Sequence, residues 1–155
     1  SLDKNLFKDY MLSVTSGTKD VLQYYDNYEK VDNGFIVITL KDRYGLLDKN
    51  FNEVVKPIYS GLYLHLLNKG FIMPKLDNKL GLLDIKGKEI IKPIYDNIGF
   101  EKYDKGFIKI KLNNKIGLLD KNGKEILEPI YDDIISINDK KVSVALNGKI
   151  ETIYI

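Results

Sequence analysis

Gly81-Leu-Leu-Asp-Ile-Lys-Gly-Lys-Glu-Ile-Ile-Lys-Pro-Ile-Tyr95 aligns without a gap to Gly45-Leu-Leu-Asp-Lys-Asn-Phe-Asn-Glu-Val-Val-Lys-Pro-Ile-Tyr59 and to Gly117-Leu-Leu-Asp-Lys-Asn-Gly-Lys-Glu-Ile-Leu-Glu-Pro-Ile-Tyr131. The three copies start 36 residues apart, and the Gly-Phe-Ile triplets at Gly34, Gly70 and Gly106 keep the same step. Two independent markers with one period define an internal repeat, and periods of this size belong to solenoids, propellers or arrays. Repeats run over about 34–69, 70–105 and 106–140. A degenerate copy covers about 6–33, where Gly17 to Tyr25 spans the same interval as Gly87 to Tyr95, and Tyr10 falls at the step of Tyr44, Leu80 and Ile116. A C-terminal half repeat, 141–155, resembles Phe107 to Lys121 with two residues deleted upstream. The whole chain, 1–155, reads as one β-repeat domain with worn ends, as caps are.

Within a copy the apolar period is two. Ile108, Ile110 and Leu112 fall on one side of a strand, with Phe107, Lys109 and Lys111 on the other. The same column reads Ile36, Ile38, Leu40 and Val142, Val144, Leu146. Pro74 interrupts the run in one copy and predicts an edge strand or a bulge there. Asn113-Asn114 and Asn147-Gly148 predict tight hairpin turns. Asp84 to Gly87 and Asp120 to Gly123 carry Asp first and Gly fourth, the preference of a type I turn. Phe51 replaces that Gly in the first copy, so its turn is expected to be strained or shifted. Pro93 cannot donate to a ladder and predicts a free edge for the strand that ends at Tyr95. No window has helical periodicity. The fold class is all-β, an open solenoid-like array of three- to four-stranded antiparallel repeats, with a small closed β-propeller as the alternative.

Composition narrows the function. Charged residues are 30% and hydrophobic residues 44%, the profile of a folded chain. Net charge is +2 and Arg43 is the single Arg, so nucleic acid is not an expected partner. There is no Cys, which excludes disulfides and thiolate zinc sites. No apolar run is long enough for a membrane span. No signal peptide is visible in a chain that opens on Ser1; an extracellular or cell-surface setting is the working expectation.

The pattern Gly-Leu-Leu-Asp-x-x-Gly-x-x-Ile-Ile-x-Pro-x-Tyr-Asp resembles the bacterial WG-repeat family. Two departures are plain. The Trp that names the family is replaced by Tyr44, Leu80 and Ile116, and its Pro-Pro reads Lys56-Pro57, Lys92-Pro93 and Glu128-Pro129. The resemblance implies a β-rich repeat module for binding or surface display, with no shared catalytic residue and no cofactor.

Asp48, Asp84 and Asp120 could be metal or acid–base carboxylates, but a recurring turn Gly beside them points to turn chemistry. Tyr25, Tyr59, Tyr95 and Tyr131 are either packing residues or a stacking ladder for sugar rings. His65 is the only His, and one His makes neither a triad nor a two-His metal site. The copies differ most in 60–69, 96–105 and 132–140, where Tyr63, His65, Phe100 and Tyr103 are the candidate binding residues. They equally suit a role as plugs at the repeat edges. The expected activity is non-enzymatic: interaction with another protein through this variable face, or, as the alternative, carbohydrate or cell-wall binding through the Tyr column.

Overall fold

Turn chemistry cuts the alternating segments into strands of similar length. The structure, a computed structural model, describes residues 19–155; Tyr10 and Gly17 lie outside them. Four antiparallel sheets follow one another, each a simple up-and-down meander. The first holds β1 (Asn27–Lys30), β2 (Ile36–Leu40), β3 (Arg43–Leu47) and β4 (Glu53–Tyr59). The second holds β5 (Gly61–Tyr63), β6 (Phe71–Leu76), β7 (Lys79–Asp84) and β8 (Glu89–Tyr95). The third holds β9 (Asn97–Gly99), β10 (Phe107–Leu112), β11 (Lys115–Asp120) and β12 (Glu125–Tyr131), and the last holds β13 (Asp133–Asn138), β14 (Lys141–Leu146) and β15 (Lys149–Tyr154). The chain is all-β: the described helical turns are short 3-10 segments, and no sheet closes into a barrel, as the open-array expectation requires. The residues divide into two compact units, one running up to Asp77 with Leu83–Lys88, the other Asn78–Leu82 with Glu89–Ile155.

Two turns recur. Between the middle strands Lys41-Asp42, Asp77-Asn78, Asn113-Asn114 and Asn147-Gly148 all have positive φ at both residues, the I′ geometry whose twist matches a hairpin. Asn, Asp and Gly are there because they tolerate the left-handed region best. Between the last two strands, the Asp84 carbonyl accepts from the Gly87 N–H at 3.0 Å, while Asp84 Oδ1 accepts from Lys86 and Lys88 N–H, both at 2.9 Å. Asp48 and Asp120 repeat this pattern. The aspartate column therefore spends its Oδ1 atoms on backbone amides. Phe51 makes the same turn at φ 64, so the turn is strained and not shifted.

The last strand of each sheet is bulged where its Pro lies. Leu118 pairs with Leu127 and Ile116 with Tyr131, so two extra residues are taken up around Pro129. β3 and β4 repeat the offset. The bulge needs a small residue beneath it. A Cβ on Gly117 would lie 2.5 Å from the Leu127 carbonyl oxygen and 2.8 Å from Pro129 N, and Gly45 and Gly81 face the same obstruction. The recurring Gly and Pro, far apart in sequence, are thus one device. As Pro93 predicted, β4, β8 and β12 are edge strands. Pro74 is different: β6 lies inside its sheet, opposite β5, with Pro74 paired to Leu62. Its ring is buried, at the step where Ile38 and Ile110 are buried, so apolar burial holds the strand in place despite the missing donor.

Adjacent Leu residues are buried on opposite faces because an internal sheet is covered on both. Leu47 packs with Val21, Leu22, Tyr25, Ile36 and Ile38, while Leu46 packs with Val55, Tyr59, Leu67, Ile72 and Leu83. Each such side chain contributes about 1.5–3 kcal/mol by leaving water. Tyr44, Leu80 and Ile116 are exposed or half-buried, so the missing Trp leaves no hole in the buried core. In the last sheet Leu gives way to exposed Thr152, and Glu151 stands where Gly117 does. The two-residue deletion replaces the 3-10 turn Tyr103–Lys105 of the third sheet with a direct β13–β14 hairpin.

Candidate functional site

The variable segments of the second and third sheets share one backbone: a short first strand and then a 3-10 turn, Leu67–Lys69 or Tyr103–Lys105. Tyr63 lies opposite Met73 in β6, and Gly99 occupies the same place opposite Lys109 in β10. The two copies therefore present different chemistry at one position. Tyr63 is 44% exposed; its ring meets the exposed His65 edge-on, centroids 6.5 Å apart. In the third sheet the absent side chain at Gly99 opens a cavity of about 220 Å³ lined by Asn97, Glu101, Lys109 and Lys111. Lys109 Nζ sits 3.3 Å from Glu101 and 3.5 Å from Asp133, so the cavity is charged but largely self-neutralised.

Phe100 and Tyr103 pack together, centroids 5.7 Å apart, with Lys121 Nζ 4.3 Å above the Tyr103 ring. They stand at the steps of Leu64 and Leu67, and both rings are half-buried. The structure brings the four candidates together as two pairs, Tyr63 with His65 and Phe100 with Tyr103. Sequence reasoning missed Glu101 and Lys109. The available signal was the loss of an aromatic residue at Gly99 where Tyr63 stands in the preceding copy.

A second missed feature is the recurring Ile of Pro-Ile-Tyr. Ile58, Ile94 and Ile130 are 52%, 49% and 47% exposed. They lie on the edge strands, two residues from exposed Lys56, Lys92 and Glu128. A cavity of about 230 Å³ adjoins Ile58, walled by Val54, Tyr59, Leu83 and Gly87. By contrast Tyr25, Tyr59 and Tyr95 are buried. Burial pushes the Tyr25 hydroxyl up to about 12 and raises Tyr95 as well, with smaller contributions from Tyr24 and Glu125. Buried rings offer no open face to a sugar, so those three residues are packing.

The Asp that follows the Tyr column has a role not visible in the sequence. Asp96 Oδ1 pairs with Lys79, and its Oδ2 accepts from the Asn113 N–H at 2.8 Å, clamping one hairpin turn to the strand before it. Asp132 does the same with Lys115 and Asn147. At the corresponding step Ser60 turns its hydroxyl to the Lys75 carbonyl instead. The hydrogen bond from the Lys79 ammonium, and secondly that from Asn113, holds the Asp96 carboxyl below its ordinary range; Lys115 and Asn147 act likewise on Asp132. A folded pKa lower than the unfolded one adds stability above the unfolded value, and that stability is lost as pH falls through the folded value. Wild-type stability should therefore drop below about pH 4, and Asp96→Asn with Asp132→Asn should flatten this acid limb. Denaturant midpoints measured across that interval check it; parallel curves for the two proteins would refute the clamp.

Among the described residues no group of three or more His, Asp or Glu is placed to hold a metal ion, and no helix is long and apolar enough to cross a membrane. A family model described as "WG containing repeat" matches residues 44–79, 81–115 and 116–149. No curated protein matches the chain. Among solved structures it is similar to "KlHsv2 with loop 6CD replaced by a Gly-Ser linker", at 12% identity and a TM-score of 0.36, covering 82% of this chain and 47% of that one. It is also similar to "Crystal structure of the eukaryotic initiation factor", at 11% identity and a TM-score of 0.44, covering 84% of this chain and 41% of that one. The chain thus spans less than half the length of either structure.

Proposed function

Since the chain belongs to the WG-containing repeat family, we propose that it is a non-enzymatic module of a bacterial protein, acting as one repeat domain that binds or scaffolds another protein through its variable segments. One observation carries the reading: a constant backbone presents Tyr63 and His65 in one copy and Gly99 and Glu101 at the same steps in the next. Surfaces that vary on a fixed scaffold are where repeat proteins recognise partners. Tyr63 supplies an exposed aromatic anchor, Phe100 and Tyr103 a second with a cation over it, and such residues dominate interface energetics. The exposed Ile58, Ile94 and Ile130 add apolar area on the edge strands.

The test is affinity capture from cells that make the protein, followed by titration of the captured partner. Tyr63→Ser combined with His65→Ser should weaken that partner roughly tenfold or more while leaving the melting temperature unchanged, because both side chains are exposed. Undiminished binding by the double variant, and by Phe100→Ala, would remove the variable face from consideration. Binding on a glycan array by the wild type, without any captured protein, would favour the carbohydrate alternative.

A further inference from the structure

The fourth-strand edges of the first three sheets carry Pro57, Pro93 and Pro129, which interrupt any added ladder. β15 carries no Pro, and its outer side pairs with no strand among the described residues. It also holds the two most exposed of the large hydrophobic residues, Ile150 and Tyr154, each 72% exposed. A bulged strand of the repeat's own kind cannot cover this edge. Glu151 stands at the step of Gly117, where a Cβ would meet the bulge backbone at 2.5–2.8 Å. Only a regular, unbulged strand fits.

The backbone direction decides which groups an added strand can reach. Ile155 N–H donates to the Lys140 carbonyl at 2.9 Å, towards β14. Alternation then turns the N–H and C=O groups of Ile150, Thr152 and Tyr154 outward. We propose that β15 pairs antiparallel with β15 of a second copy about a two-fold axis at Thr152, joining two last sheets into one. In that register Thr152 faces Thr152 of the other copy, and each Ile150 faces a Tyr154, both favourable cross-strand pairs. Glu151 then lies opposite Ile153. The register centred on Glu151 sets two carboxylates against each other and is disfavoured. A two-fold interface of this kind closes on itself and stops at a dimer.

Sedimentation of the 155-residue chain over a concentration series should show a monomer–dimer equilibrium. Thr152→Lys and Thr152→Glu should each be monomeric, since each sets like charges on the axis, and their equimolar mixture should recover the dimer. Thr152 is exposed, and circular dichroism checks that both variants fold. Hydrogen exchange on the unaltered protein is the independent reading: protection of the Ile150, Thr152 and Tyr154 amides should rise with concentration. A wild type that stays monomeric, exchange at those amides independent of concentration, or a dimer untouched by Thr152→Lys would each overturn the proposal.

Discussion

Gly123→Ala is expected to destabilise this chain strongly for a single methyl, costing about 2–5 kcal/mol. Gly123 has φ 87, a conformation that costs any residue with a Cβ about 1–2 kcal/mol. The larger part is steric. The Cβ would fall well inside 3.0 Å of the Ile90 carbonyl oxygen in β8, and backbone cannot rotate out of the way. Overpacking of this kind adds about 1–3 kcal/mol, against a total stability of about 5–15 kcal/mol for a domain. Gly106→Ala is the internal control. Its φ is 96, but nothing lies within 4 Å of the Cβ position, so only the backbone cost should appear. Urea midpoints for the two variants separate the effects, and equal losses would show that the approach of Gly123 to β8 carries no weight. Gly87 stands against the Val54 carbonyl in the same way. Phe51, at the same turn position, packs instead against the cluster of Val21, Leu22, Tyr25 and Ile36.

Gly117→Ala should cost less than Gly123→Ala, at about 1–3 kcal/mol or somewhat more. Here the backbone torsion is ordinary and the whole cost is the collision with the bulge at Leu127 and Pro129. The chain can relieve it only by separating β12 from β11. Loss of exchange protection should therefore concentrate at Leu118, Leu119 and Leu127, with β10 affected less. Glu151→Gly at the equivalent step of β15 meets no fourth strand among the described residues and should cost only the about 0.5–1 kcal/mol of a Gly within a strand. A uniform loss of protection in Gly117→Ala would argue against a local bulge lock.

Much of this fold was readable from residues a few positions apart. Asp84 and Gly87 specify their turn by hydrogen bonds within five residues, and Asn113-Asn114 specifies a hairpin by its own φ preferences. Pro93 announced an edge for the same reason: what it lacks is its own N–H. Pro74 differs: its missing donor predicts an edge or bulge, but the burial of its ring inside the sheet outweighs that donor. The candidate site was less legible. Tyr63, His65, Phe100 and Tyr103 were located by their variability, but pairing them required the 3-10 turn geometry. The exposure of the Ile of Pro-Ile-Tyr is not legible in the sequence, because alternation along a bulged strand does not say which face water reaches. Asp96 and Asp132 were unassigned because their partners, Lys79 and Lys115, lie 17 residues earlier.

By itself the sequence determined the period, the strands, the turns and the all-β class, since each depends on torsions and alternation that act over a few residues and recur in every copy. Tertiary structure alone decided which recurring residues carry weight and which face water. Gly123 and Gly87 look alike as turn residues, yet the strand of the preceding sheet makes them irreplaceable. Ile94 and Ile91 look alike as strand residues, yet one faces water and the other is buried. Burial is a property of whatever covers a face, and that is fixed only when one sheet packs on another.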